Sequence, residues 1–270
     1  MKNKAISYPY IGWMGIFVVA PILIITLYAF TADAGGFTLA NFRDMAQYAS
    51  AFGRSFLLAA VATVICLLMG YPLAYYLARE TGWLRRMATM LIMLPMWMNF
   101  LLRTYSWKFL LERNGLLNAF FGLFGLGPFQ MIDTQGAIVL GMVYNFLPYM
   151  VLPIFSVIEK IDPKVIEAAQ DLGADSFTVF RRVTFPLSLP GVLSGITMVF
   201  IPSVSTFAIS RLLGGSKTLL LGNLIDMQFL GSAYNPHLGS AISLVMMVIV
   251  LVCMAVMNRF GEGEEGVTVL

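Results

Sequence analysis

The residues best suited to chemistry in this sequence could bind a partner, but they do not form a catalytic centre. His237 is the only histidine, and the sequence around it offers no obvious nucleophile for it to activate. Two cysteines and one histidine cannot form an ordinary zinc site. We therefore expect no catalytic residues, no metal and no cofactor, and we take the remaining polar residues as candidates for binding.

The first set of binding candidates lies in a polar segment at residues 159–185. Asp162 followed by Pro163 predicts the N-terminus of a helix, and Gly173 predicts its C-terminal boundary. A second short helix is predicted over 177–182. The first helix has a small, Ala-rich surface with a few polar groups, which suits a groove on another protein better than burial in lipid. Its candidate residues are Glu167, Ala168, Ala169, Gln170, Asp171 and Gly173.

The second set consists of polar and aromatic side chains inside apolar stretches, where burial of a polar group is costly. No Asp or Glu lies in the middle of these stretches, so the carboxylate relay of a proton-driven transporter is absent. A solute path would use these residues, although interhelical hydrogen bonds and packing explain each of them equally well. The path candidates are Trp97, Asn99, Tyr144, Asn145, Tyr149 and Ser203, with Asp133 and Asp226 at one mouth.

The composition determines which elements can position these residues. Of 270 residues, 59% are hydrophobic and 11% are charged, whereas a soluble domain carries roughly 25% charged residues. A disordered chain and a disulfide scaffold are excluded by the apolar content and by the two cysteines. Long continuous apolar blocks exclude the alternating pattern of an outer-membrane barrel. The fold class is therefore an all-α polytopic membrane protein.

Six apolar blocks have the length of about 20 residues that a membrane-spanning helix needs. Six spans place both termini on the same side of the membrane. The predicted spans are Ile11–Thr31, Ser55–Ala78, Met87–Leu111, Gln135–Ile158, Leu187–Ser210 and Leu238–Met257.

Lysine and arginine residues orient these spans, because they collect on the cytoplasmic side. Ten lie on the side of the termini and seven on the other side, and the tight turn Arg79–Arg86 is the best anchor. Both termini are therefore predicted to be cytoplasmic, in a multi-pass protein. The ten are Lys2, Lys4, Arg79, Arg85, Arg86, Lys160, Lys164, Arg181, Arg182 and Arg259.

The polar segment between spans four and five carries a recognisable motif. Glu167-Ala168-Ala169, then Gly173, then Val183-Thr184-Phe185-Pro186 resembles the EAA motif of ABC importer permeases, E-A-A-x3-G-x9-I-x-L-P. Val replaces Ile and Phe replaces Leu, and both changes are apolar for apolar. The motif also lies on the predicted cytoplasmic side, where that family has it.

Three further segments resemble the spermidine/putrescine branch of this family. Within that branch the chain is most similar to the first of the two permease subunits, and the likeness extends over nearly the whole chain. The segments are Leu94-Pro95-x3-Asn99-x3-Arg103, Tyr144-x3-Pro148-x4-Pro153 and Gly214-Gly215-Ser216-Lys217-Thr218-Leu219-Leu220-Leu221-Gly222-Asn223.

This resemblance implies a single permease domain over residues 1–270, with the type I importer fold, in a bacterial inner membrane. It also implies a second, homologous permease subunit, two cytoplasmic ATPases and an extracytoplasmic binding protein as partners. The coupling role in the family falls here on Glu167, Ala168, Ala169 and Gly173. Gly214–Thr218 lacks the G-x4-G-K-[ST] spacing of a phosphate loop, so ATP hydrolysis is expected on a separate chain.

The substrate implied by the resemblance is a polyamine, whose ammonium groups suit aromatic faces and carbonyl oxygens. The predicted outer side carries seven basic and five acidic residues, a net +2 that has the wrong sign for attracting a polycation. Two alternatives therefore stay open: a permease for another small solute such as sulfate, molybdate or iron, and a secondary transporter.

Overall fold

The computed structural model describes residues 8–32, 35–215, 218–231 and 233–261. Fourteen α-helices account for most of this part of the chain, and its only β-structure is an isolated bridge between Thr31 and Phe37. The helices are α1 (Tyr8–Met14), α2 (Ala20–Ala29), α3 (Ala40–Met45), α4 (Ala49–Arg79), α5 (Gly82–Trp97), α6 (Phe100–Leu111), α7 (Leu116–Leu123), α8 (Gln135–Ile158), α9 (Pro163–Asp171), α10 (Ser176–Val179), α11 (Phe185–Ser205), α12 (Ala208–Leu213), α13 (Leu221–Leu230) and α14 (Pro236–Gly261).

The helices long and apolar enough to cross a membrane confirm the predicted class, an all-α polytopic membrane protein. Five continuous helical stretches qualify among the described residues, and a sixth span is a bent pair of helices. The fourth span has the bounds that the sequence predicts. The five stretches are Pro9–Ala29, Ala40–Arg79, Gln135–Ile158, Ser176–Ser205 and Pro236–Met257.

The prediction that Met87–Leu111 is one continuous span is wrong. The chain bends by 94° between Gly82–Trp97 and Phe100–Leu123. Met98 is extended at the bend, one turn after Pro95, which cannot donate a helical hydrogen bond. Asn99 then starts a new helix, because its side-chain oxygen accepts hydrogen bonds from the backbone of Leu101 at 2.9 Å and of Leu102 at 3.2 Å.

The fifth span also differs from its prediction at both ends. The expected separate helix over 177–182 is fused to it, because α10 continues through a π-helical turn, Phe180–Thr184, into α11. The wider turn accommodates Pro186, whose ring would clash with a carbonyl of a regular helix. At the other end α11 stops at Ser205, before the extended Thr206, so the predicted end at Ser210 is wrong.

The core lies where α4, α8 and α11 pack against one another. Two glycines of α11 permit this close approach. A side chain at Gly195 would meet the Met150 sulfur at 2.7 Å, and one at Gly191 would meet the Pro153 carbonyl oxygen at 2.9 Å. By contrast, α2 buries only Ala29, so its apolar surface is available to lipid. The bundle therefore holds α8 and α11 rigidly on either side of α9.

Candidate coupling segment and transport path

The N-terminus of α9 is fixed by local signals in its sequence. After α8 the backbone turns tightly, and Ile161 donates a hydrogen bond to the Ile158 carbonyl at 3.1 Å. The Asp162 side chain then caps α9 by accepting from the Lys164 backbone at 3.0 Å, and Pro163 occupies the first helical position. This start has the residues that the sequence predicts.

The C-terminus of α9 closes in a Schellman motif. The Gly173 backbone donates to the Gln170 carbonyl at 2.8 Å, and the Ala174 backbone donates to the Ala169 carbonyl at 3.1 Å. Gly173 adopts a φ of +85°, which an L-residue with a side chain rarely does. The predicted boundary at Gly173 is therefore correct, and the backbone conformation strongly favours glycine there.

No residue of α9 is buried. Glu167, Ala168, Gln170 and Asp171 are exposed, and Ala169 is half-buried. The apolar side chains beside them are missing from the predicted set, although large apolar residues in a polar loop were a usable signal. Val165 is 45% exposed, Leu172 90% and Phe177 67%. An exposed helix with both polar and apolar side chains is suited to docking on another protein.

A shallow groove separates α9 from α10. It has a volume of about 370 Å³, and Ala169, Leu172 and Arg182 are among its lining residues. Asp175 holds its far wall in place, because its carboxylate accepts a hydrogen bond from the Thr178 hydroxyl. That bond favours the ionised carboxylate and so lowers the pKa of Asp175 below its ordinary value of 3.8.

Aromatic contacts anchor the segment after α10 to α4. The Phe180 ring meets the edges of Tyr71 and Tyr75 at centroid distances of 5.9 and 5.4 Å. The Tyr71 hydroxyl also shares a 2.8 Å hydrogen bond with the Ser188 hydroxyl, and the Arg79 guanidinium lies 4.2 Å above the Tyr75 ring. These contacts join the segment after α10 directly to the core helix α4.

The other end of the segment is tied to α5. Arg85 forms an ion pair with Glu159, the residue that follows α8, and its guanidinium lies 5.1 Å from the centre of the Phe155 ring. Both ends of the 159–185 segment thus contact the membrane-spanning bundle, while α9 between them contacts water.

Among the path candidates, α8 holds the central group. Tyr144 is half-buried and packs edge-on against Trp107 of α6, with ring centroids 5.3 Å apart. Asn145 is 1% exposed, and its side-chain nitrogen donates to the Gly141 carbonyl at 2.8 Å. The Asn145 carbonyl oxygen has no partner among the described residues. Because that oxygen is also buried, its unmet hydrogen-bonding capacity lies inside the bundle and not on an open surface.

The structure does not bring the other in-span candidates to the same point. Trp97 is 87% exposed at the end of α5, and Tyr149 is 36% exposed. Asn99 uses its carbonyl oxygen to cap α6, so that oxygen is not free for a solute. The Ser203 hydroxyl is buried and satisfied by the Val199 carbonyl at 2.7 Å.

The two carboxylates proposed for the mouth flank one turn at the end of α12. Asp133 lies against Gly215, where its carboxylate oxygen is 2.5 Å from the position of an added side chain. Asp226 forms an ion pair with Arg211 at 3.1 Å, beside a pocket of about 600 Å³ to which Gly215 also contributes. The charge of Asp226 is therefore partly neutralised, which the sequence did not reveal.

Arg103 is the most unusual charge in the described chain. It lies on α6, is only 6% exposed, and its Nε and Nη1 atoms have no hydrogen-bond partner among the described residues. A charge buried within a membrane bundle is costly unless it is paired, and such residues mark functional sites. The sequence places Arg103 in a family-like motif but does not show its burial.

A helical bundle that spans the membrane and extends an exposed, capped helix from one end fits the membrane subunit of a transport system, but a fold alone does not establish a function. The chain belongs to the family described as binding-protein-dependent transport system inner membrane component, which it matches over residues 70–262. It is therefore a multi-pass inner membrane protein and an ABC importer permease.

Two relatives illustrate the similarity. The chain is 37% identical over 258 residues to the spermidine/putrescine transport system permease protein PotB of Haemophilus influenzae, covering 92% of this chain and 90% of the relative. It is 31% identical over 208 residues to the molybdenum transport system permease protein ModB of Mycobacterium bovis, covering 77% and 78%.

Solved structures share the fold. A bacterial ABC transporter involved in the import of the acidic polysaccharide alginate superposes with a TM-score of 0.83 at 18% identity, over 96% of this chain and 94% of that chain. The MetNI methionine ABC transporter in an inward-facing conformation superposes with a TM-score of 0.61 at 16% identity, over 82% and 97%. At these identities the likeness concerns the fold alone.

Proposed function

We propose that this chain is a non-catalytic permease subunit of an ATP-driven importer, and that it forms half of the translocation path for spermidine or putrescine. Residues 1–270 form one transmembrane permease domain, and residues 159–185 form its coupling loop. The observation that carries the proposal is the exposed α9, which is capped at both ends and joined at both ends to the bundle. A helix held in this way can dock on a partner protein and transmit the partner's movement to the membrane-spanning bundle.

The partner of α9 is a cytoplasmic ATPase, present in two copies. The surface of α9 offers hydrogen-bonding groups from Glu167, Gln170 and Asp171. It also allows close approach of the ATPase at the small residues Ala168 and Ala169. Leu172 and Val165 supply the apolar area that a docked helix buries. ATP hydrolysis takes place on that separate chain, and both termini lie on the same, cytoplasmic side as α9.

The polyamine assignment is supported by 37% identity to the spermidine/putrescine permease over nearly the whole chain. The ring of Tyr144 suits an ammonium group and its methylene stem, and Asn145 beside it holds an unpartnered side-chain oxygen inside the bundle. A second permease chain completes the path, and an extracytoplasmic binding protein delivers the solute. Asp133 and Asp226 belong to the outer mouth.

The test is ATP-driven uptake into proteoliposomes that contain the whole complex, with radiolabelled spermidine, putrescine, sulfate, molybdate and iron. We expect spermidine or putrescine to accumulate only with ATP and binding protein present. Uptake without ATP would identify a secondary transporter. The Glu167→Gln/Asp171→Asn variant should lose uptake while the chain still inserts in the membrane.

A second candidate substrate class is a small anion. It is favoured by the unpaired guanidinium of Arg103, and the chain is 31% identical to a molybdenum permease over 208 residues. Accumulation of molybdate or sulfate without any uptake of polyamine in the same vesicles would establish this alternative.

A further inference from the structure

The short helix α7 carries an exposed stripe of large apolar side chains. Leu116 is 72% exposed, Phe120 55%, Leu123 82% and Phe124 67%. These residues follow the spacing i, i+4, i+7, i+8, which places them within an arc of about 100° on one side of a helix. Nothing in the described part of the chain covers this stripe.

The helix cannot rotate to bury the stripe, because contacts at its first turn and on its inner side hold it in this orientation. At its start, a side chain on Gly115 would lie 2.4 Å from the Phe109 carbonyl oxygen, so the turn is packed against the end of α6. Asn118, on the inner side, donates to the carbonyls of Glu112 at 3.2 Å and Phe129 at 2.9 Å. It also accepts from the Phe129 backbone at 2.8 Å.

The position of α7 places it at the edge of the membrane. It lies between α6 and α8, at the end of α8 opposite to α9. With α6 it forms one limb of the bent third span. Three charged residues separate it from the apolar part of α6, and such residues collect where a span leaves the hydrocarbon. They are Lys108, Glu112 and Arg113.

The side of α7 away from the stripe carries Asn118, the one polar side chain of this helix. A surface pocket of about 410 Å³ lies there, and Arg113 and Asn114, which precede α7, also contribute to its lining. Helix α7 therefore turns its exposed large apolar side chains away from both the protein core and the pocket. Exposed leucine and phenylalanine side chains on one side of a helix are typical of helices that lie in a membrane interface.

We propose that α7 lies in the membrane interface on the side opposite to α9, with Leu116, Phe120, Leu123 and Phe124 inserted among the acyl chains of the phospholipids. The bilayer is the apolar phase nearest to a helix that directly follows a membrane span. The four side chains are leucine and phenylalanine, which insert readily among acyl chains. The assignment does not depend on the transported solute.

The test uses spin labels on the assembled transporter in nanodiscs of phosphatidylethanolamine and phosphatidylglycerol. In a Cys66→Ala/Cys253→Ala background, a nitroxide is attached at Phe120→Cys or at Gly122→Cys. Gly122 is a matched control on the opposite side of α7, and a side chain there meets nothing within 4 Å. Collision rates are measured with oxygen, which concentrates in lipid, and with a water-soluble nickel chelate.

We expect the label at 120 to collide with oxygen and to be protected from nickel, and the label at 122 to show the reverse. Equal nickel collision at both positions would overturn the proposal, because the stripe would then face water. Protection of position 120 from both reagents would also overturn it, since another chain would cover the stripe. The proposal would also be overturned if position 120 were protected from nickel only after the binding protein is added.

Discussion

Substitutions at Gly173 test the role of the coupling segment. At this position the effect of backbone conformation can be measured without a steric clash. A side chain added there meets nothing within 4 Å, so a substitution causes no clash. The φ of +85° instead penalises it, by about 1–2 kcal/mol for an ordinary L-residue. Asparagine tolerates this region far better than a β-branched residue does.

These energies predict different outcomes for two variants of similar size. Gly173→Val should lower the equilibrium constant for closing the Schellman turn by a factor of roughly 5–30, which corresponds to 1–2 kcal/mol. Gly173→Asn should change that constant much less. If α9 must be presented closed to dock, ATP-driven uptake should fall by up to about the same factor in Gly173→Val and little in Gly173→Asn.

The assay is spermidine uptake into proteoliposomes that contain equal amounts of each variant complex, together with co-purification of the ATPase. Membrane insertion of the variant chain serves as the control. Uptake by Gly173→Val at the wild-type rate would refute the reasoning. So would an equal loss in both variants, because the loss would then not follow the backbone conformation.

Three further predictions concern the rest of the chain. Cysteines at Leu172 and Tyr234, both well exposed, should respond oppositely to an impermeant thiol reagent in intact cells: only position 234 should react, and reaction at both would contradict the topology. Arg103→Met should stabilise the isolated chain against heat, by up to a few kcal/mol, because it removes a buried unpaired charge; a lower melting temperature would show that the guanidinium is already paired. In the Arg211–Asp226 ion pair, one side chain is exposed. A double-mutant cycle with Arg211→Ala and Asp226→Asn should therefore give a coupling free energy below about 1 kcal/mol in stability. A larger value would show that the pair holds the fold together.

The features that the sequence predicts well are those controlled by neighbouring residues. Asp162, Pro163 and Gly173 act on hydrogen bonds within one turn of themselves, and α9 begins and ends where they indicate. Apolar blocks of spanning length likewise require helices, because the bilayer cannot satisfy free backbone groups. The bounds of α8 could therefore be predicted without knowing its neighbours.

Contacts between distant residues could not be predicted in the same way. Asp226 looked like an available carboxylate, but α12 brings Arg211 to it from 15 residues away. Asn99 looked like a polar group inside a span, although its place one turn after Pro95 was a usable signal for a helix cap. The stripe on α7 depends on how α7 packs, which apolar content alone does not determine.

The two helix breaks lie in one region of the bundle. That region also contains Tyr144 and Asn145, two of the path candidates on α8. Each break lies at an extended residue: Met98 follows the end of α5, and Thr206 follows the end of α11. The helices that follow these breaks are α6 and α12, and they pack against each other and against α8. Irregular backbone at membrane depth is tolerated only where protein or a water-lined cavity surrounds it. The unpartnered atoms of Arg103 and Asn145 lie on two of these three helices. Because the sequence is largely apolar on both sides of each break, hydropathy predicts continuous spans, and only the packing of α6, α8 and α12 reveals where a polar path could cross.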